Sequence, residues 1–177
     1  MVLCTTLLCA KSSTFIYDTL ESATKKVFPG ATYVTKNIQL SDTQVSSIES
    51  RLMMQISTSN ITMFEFKKNK ALHGWGMVTN YIGKHEPITF FVGVSPDFKI
   101  QGIVVMVYRE DYGNAVKKRR FLRQFNKKSL DDPMAVHQDI TSITGATLSS
   151  YAIANGARDV LLTVSEAISP RKTTEGD

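Results

Sequence analysis

ITFFVGVSPDFKIQGIVVMVY, residues 88–108, holds two apolar runs on either side of Pro96-Asp97-Phe98. Both runs are rich in β-branched and aromatic residues and have the length of strands, so the stretch reads as a β-hairpin. The second run is apolar on both faces, with Ile103, Val105 and Val107 against Val104 and Met106. That pattern predicts a strand covered on both sides and placed centrally in its sheet.

Working outward, residues 61–67 and 72–81 continue the strand character, the second interrupted by Gly74 and Gly76. Further upstream, Phe15, Ile16, Thr19, Leu20, Ala23 and Val27 share one helical face, and Pro29-Gly30 stops the run. A short extended piece at 31–36 follows. Ser41-Asp42-Thr43-Gln44 has capping-box spacing, and Val45, Ile48, Leu52 and Ile56 continue it as a second amphipathic helix. Downstream, 117–124 reads as a short basic helix and 125–136 as loop. A last helix runs over 147–168, with Leu148, Tyr151, Ala152, Val160, Leu161, Val164 and Ile168 toward the core. The expectation is a single α+β domain: a largely antiparallel sheet, helices packed against it, and a C-terminal helix starting at Thr144-Gly145-Ala146-Thr147.

The 177 residues fit one domain able to bury a core without staples. An apolar fraction of 42% and a charged fraction of 21% are those of an ordinary globule, and a net charge of +5 permits an anionic ligand without requiring one. Both cysteines, Cys4 and Cys9, lie in the first ten residues, so the rest holds no disulfide framework, thiolate metal cluster or thiol nucleophile. His73, His85 and His137 share no ligand spacing, and no metal site is expected. Residues 2–10 have the length of a signal-peptide apolar core, with Ala10-Lys11-Ser12 as a small-x-small cleavage site, although no Lys or Arg precedes the run. The expected organisation is a signal peptide or its remnant at 1–12, with a buried or frayed N-terminus as the alternative, the domain at 13–170 and a polar tail at 171–177; an export signal places the protein outside the cytoplasm.

DITSITGATLSSYAIANGARDVLLTV, residues 139–164, puts hydroxyls and a glycine (Thr141, Ser142, Thr144, Gly145, Thr147) where the last helix begins. The first turn of a helix has unpaired N–H groups and a partial positive charge, and glycine lets a ligand approach the backbone. SITGAT is therefore either a phosphate-sized anion site or an ordinary Ser/Thr cap. The absence of a Walker lysine and of G-x-G-x-x-G argues against nucleoside triphosphates and dinucleotides.

TGATLSS, residues 144–150, closely resembles the S/T-G-A-T motif of the FMN-binding domain family, which includes the covalently flavinylated subunits of the Rnf complex and of the sodium-pumping NADH:quinone oxidoreductase. GKHEPITFFVGV (83–94), YREDYGNAV (108–116), RRFLRQFNKK (119–128) and VFPGA (27–31) resemble further family segments, so the likeness covers roughly 15–168. The resemblance implies FMN carried as a phosphoester on Thr147 and transferred from FAD by an FAD:protein FMN transferase. It further implies Thr144, Gly145, Ala146 and Leu148 around the attachment point, and electron relay between membrane or cell-surface redox proteins without independent substrate turnover. One position departs. Many members carry an aspartate six residues before the modified threonine; here Thr141 stands there, and Asp139 lies two residues further upstream.

On the same resemblance, Glu110, Tyr112 and Gly113 form the E-x-x-G loop that approaches the flavin. Glu110 is placed to hydrogen-bond a ring N–H and Tyr112 to stack on the ring, or the loop is a solvated one with an aromatic anchor. His85, Glu86 and Thr89, beside Pro87, either line the ring pocket or make a strand-entry turn. Lys117, Lys118, Arg119, Arg120, Arg123, Lys127 and Lys128 form one basic cluster. With Phe121, Leu122 and Phe125 as a buried face, these charges read as solvated, or as a surface for docking or for an anionic membrane; nucleic acid is not the expected partner. Trp75 reads as core. Two other functions remain open: a flavin-dependent small-molecule reductase and a non-redox binding module of the same fold.

Overall fold

In the computed structural model the described residues are 14–168, except 54, 57 and 111. The expected leader at 1–12, both cysteines, Pro170 and the tail at 171–177 lie outside them. The first element among the described residues is a two-residue strand, β1 (Phe15–Ile16), where the spacing predicts a helix. The helix α1 (Leu20–Val27) starts only after Thr19, whose hydroxyl accepts the Ser22 amide as N-cap. Phe15 and Ile16 instead pair with Tyr108 and Val107, and the Tyr17 amide donates to the Met106 carbonyl. Sheet hydrogen bonds thus claim the backbone before the cap begins the helix.

β2 (Thr32–Gln39) and α2 (Asp42–Leu52) follow. The capping box is formed reciprocally by Ser41 and Gln44, and α2 stops at left-handed Met53, short of Ile56. Four strands come next: β3 (Asn60–Lys68), β4 (Ala71–Ile82), β5 (Pro87–Val94) and β6 (Ile100–Tyr108). The basic segment is a short helix, α3 (Arg119–Leu122), between 3-10 turns at Asn114–Lys117 and Arg123–Phe125. The last helix is α4 (Thr147–Ile168), with the bounds the sequence predicts.

All six strands form one antiparallel sheet in the order β1-β6-β5-β4-β3-β2. One face carries the main core: Ile88, Phe90, Val92, Ile103 and Val105 of the sheet, Phe121 and Phe125, and Ala152, Ile153, Val160, Leu161 and Val164 of α4. The opposite face packs Ala23, Val27 and Phe28 from the α1 region against Phe64, Phe66, Phe91 and Met106. A Cβ at Gly76 would lie 2.3 Å from the Phe91 ring, so the interrupting glycine makes room for that aromatic layer. Trp75 is buried and stacked on Phe98, as core.

β6 differs from its expected position. Its two faces are covered by these two layers, which explains the run of apolar residues. Its outer edge, however, is paired by β1 only at Tyr108 and Val107. Two-sided burial here comes from flanking layers and not from central placement.

Candidate functional site

The start of α4 is built on an unusual cap. Ala146 stands at the N-cap position, where its carbonyl accepts the Ser150 amide at 2.9 Å, and its own N–H donates to the Ile143 carbonyl at 2.8 Å. Alanine has no side-chain oxygen to satisfy the first turn. Among the described residues the amides of Thr147, Leu148 and Ser149 have no acceptor, and the Thr147 hydroxyl has no hydrogen-bond partner. Thr147 is half-buried, Thr144 is exposed, and Gly145 turns the chain at φ +77° with nothing within 4 Å of where a Cβ would sit. The turn therefore presents free donors, partial positive charge and open space together.

Two buried serines hold that turn. Ser150 Oγ donates to the Ala146 carbonyl at 2.9 Å and accepts the Ile143 amide at 3.3 Å. Ser149 Oγ lies 2.9 Å from the Tyr108 hydroxyl, which donates its single proton to the Tyr112 carbonyl at 2.6 Å. Ser149 is thus the donor to the phenol oxygen. Burial pushes the Tyr108 phenol above its ordinary value, against a smaller opposing effect of the Ser149 bond. Gly113, at φ +89°, fits against the same pair: a Cβ there would come 2.5 Å from the Tyr108 hydroxyl and 3.1 Å from Ser149 Oγ. The loop holding Tyr112 and Gly113 is fastened to the first turn of α4, so the structure brings these two predicted segments together. The sequence reading did not single out Ser149 and Ser150; the Ser-Ser pair directly after Thr147-Leu148 was the available signal.

Glu110 holds a neighbouring turn through one of its carboxylate oxygens. Its Oε1 accepts the backbone amides of Lys84, His85 and Glu86 at 2.5, 2.7 and 3.1 Å. That oxygen fastens the 83–86 turn to the end of β6. His85 is exposed and Glu86 half-buried in that turn. The Thr89 hydroxyl donates to Asn80 at 2.6 Å and accepts from Arg109 at 2.9 Å, while Arg109 also bonds the Pro87 carbonyl at 2.8 Å. Strand-entry structure accounts for the Thr89 hydroxyl.

Asp139 is likewise committed, to Lys128 at 2.6 Å and to the amides of Ala135 and Met134 at 2.8 and 3.2 Å. Partial burial works against its charged form, yet Lys128 and these amides hold its carboxyl below the ordinary range. Thr141 is exposed, and its backbone is gripped by the Gln124 amide at 2.9 and 3.1 Å. Asp139 is therefore a brace for the 128–140 loop.

Leu148 and Tyr151, expected in the core, are instead 51% and 40% exposed, and Tyr112 is 84% exposed. Leu148 and Tyr151 fall on the solvent side of α4 because Ala152, Ile153, Gly156 and Ala157 supply its sheet-facing side. Apolar and aromatic side chains are thus exposed at the opening of α4. Thr147 and the first α4 amides are placed to meet a phosphate-sized anion, with Leu148 and Tyr151 exposed on the same helix end. A groove of about 870 Å³ elsewhere, along β6 and the basic segment, includes none of the sequence-predicted site residues.

Residues 83–162 match the family model of the FMN-binding domain. The crystal structure of Shewanella oneidensis NqrC is similar at a TM-score of 0.56 and 15% identity, over 81% of this chain and 84% of that one. This likeness shows the shared fold. No curated protein sequence matches the chain. The resemblance read from the motif and its flanking segments is thereby shown over the stretch that holds β5, β6, the Tyr112 loop and the opening of α4.

Proposed function

We propose that this chain, whose residues 83–162 match the FMN-binding domain family, is an electron-carrying flavoprotein domain with FMN esterified through its phosphate to Thr147. The observation that supports this most is the turn itself: half-buried Thr147, whose hydroxyl and neighbouring amides of 147–149 have no partner among the described residues, beside open space over Gly145. FMN supplies the electron chemistry, and the protein supplies attachment, orientation and surroundings. A flavin transferase would join Thr147 Oγ1 to the FMN phosphorus of FAD as the pyrophosphate bond breaks, with AMP leaving and the hydroxyl proton released. The α4 amides and helix dipole stabilise the diester's remaining charge.

Covalent attachment has a physical reason. A helix N-terminus contributes about 0.3–1 kcal/mol to holding an anion, or about 2 when partly buried. Micromolar retention needs about 8 kcal/mol. An open turn of this kind does not hold a dilutable cofactor, and a phosphoester removes that problem. The relay operates outside the cytoplasm between membrane or cell-surface redox partners, with no substrate turnover of its own.

Co-expression with a flavin transferase tests the proposal. Denatured wild-type protein should retain flavin fluorescence on a gel, and Thr147→Ala should be dark. Equal fluorescence in both would move the tether to another residue, and none in either would remove the covalent reading.

A further inference from the structure

The open edge of β6 is a recess with charged walls. Its pairing with β5 is regular from Gly102 to Val105, between two register shifts. Only alternate residues of an antiparallel strand bond a given neighbour, so the others here turn their N–H and C=O groups away from β5. No strand among the described residues meets them.

At both ends the chain already uses this edge for main-chain bonding. Ile100 donates to the Lys128 carbonyl and accepts the Lys127 amide, both at 2.8 Å. The Met106 carbonyl accepts the amides of Tyr17 and Asp18 at 2.8 and 3.2 Å. The edge is thus competent for strand pairing on either side of a gap about four residues long, or ~13 Å at the usual rise.

The gap opens into the groove of about 870 Å³ between the α1 and α3 regions. Its apolar floor includes Val27, Ile103, Val105 and Leu122. Lys26, Lys117, Lys118, Arg119 and Arg123 line it, against the single acid Asp18. Asp18 is bound to Lys26 at 2.6 Å, and Lys117 sits 3.5 Å over the Tyr17 ring. Lys118, Arg119 and Arg123 are exposed and have no ion-pair partner among the described residues. The other sheet edge, β2, is exposed along nearly its whole length.

We propose that this groove binds an extended, acidic segment of a partner polypeptide, which adds a strand to β6 and places its carboxylates against Lys118, Arg119 and Arg123. A strand edge alternates donors and acceptors, which a peptide backbone matches. A phosphodiester backbone offers only acceptors, and a membrane surface does not enter a recess. Excess positive charge on the walls steers acidic partners and makes binding salt-dependent.

The test uses the full chain and a fluorescein-labelled peptide of alternating Val and Asp or Glu, followed by anisotropy. Saturable binding is expected that weakens with salt and falls at least about tenfold in Arg119→Glu/Arg123→Glu, whose side chains are exposed. Two peptides N-methylated on opposite sets of alternate amides separate strand addition from plain charge attraction, without altering the protein. One set should lose binding and the other keep it. Equal behaviour of the two sets, no binding of the parent peptide, or tighter binding by a single-stranded oligonucleotide or by anionic vesicles of phosphatidylserine and phosphatidylcholine would each overturn the proposal. Thr147→Ala should bind the peptide as wild type does, so failure of the flavin reading is distinguishable from failure here.

Discussion

The Tyr108 hydroxyl and Ser149 Oγ lie 2.9 Å apart in the core and join the end of β6 to the first turn of α4. The same phenol reaches the Tyr112 carbonyl at 2.6 Å, so one buried oxygen positions both parts of the candidate site. Tyr108→Phe removes both bonds and leaves buried polar partners behind. It should cost about 1–3 kcal/mol in urea unfolding. A cycle with Ser149→Ala should show non-additivity, because the two side chains share one interaction.

Gly113 makes that junction possible. Its φ of +89° disfavours any side chain, and a Cβ would press on the Tyr108 hydroxyl at 2.5 Å. Gly113→Ala should lower stability by about 2–4 kcal/mol through left-handed strain and displacement of the buried phenol. Thermal melts of the purified variant check this; a melting temperature equal to wild type would contradict the packing described.

Glu110 is expected to act on the 83–86 turn. In Glu110→Ala, hydrogen exchange at the amides of Lys84, His85 and Glu86 should accelerate. The global cost should stay near 1–2 kcal/mol, since water can reach the released amides. Glu110→Gln retains an acceptor oxygen and should protect most of the turn.

Asp159 sets an expected pH dependence. Burial raises its carboxyl above the ordinary 3.8, despite opposing hydrogen bonds from Tyr81 and Thr163 at 3.1 and 3.2 Å. A folded-state value above the unfolded one means that the folded protein holds the proton longer. The stabilisation is therefore complete below pH 3.8 and is lost as pH rises through the folded value. Asp159→Asn should abolish this part of the slope. It should be more stable than wild type above the folded value, with little difference in acid. Urea midpoints across that range measure it.

The parts of the fold written in local pattern were legible from residues alone. β-branched runs fixed β5 and β6, Ser41 and Gln44 fixed the start of α2, and α4 ran from Thr147 to Ile168 as periodicity indicated. β1 was not legible, because two residues pair only once β6 exists to receive them. Leu148 and Tyr151 looked like core since their spacing is helical. Only the position of the sheet shows that smaller residues take that side. The functions of Glu110 and Asp139 depend on amides distant in fold or turn geometry, which spacing does not encode. The open edge of β6 was hidden for a related reason: apolarity on two faces does not distinguish a central strand from an edge strand between layers.

Thr141, exposed beside the turn, stands where the family resemblance implies an acid, and Asp139 is tied up by Lys128. Thr141→Asp should accelerate flavin loading by the transferase with little change in stability, read from the time course of covalent flavin under limiting enzyme. A slower rate than wild type would count against this use of the position.

Intact-mass spectrometry after co-expression with a flavin transferase, followed by fragmentation of the peptide containing 144–151, tests the tether most directly. A gain of one FMN less one water, located on Thr147, retained in Thr147→Ser and absent in Thr147→Ala, is the expected result. An unmodified chain, or the added mass on any other residue, would contradict it.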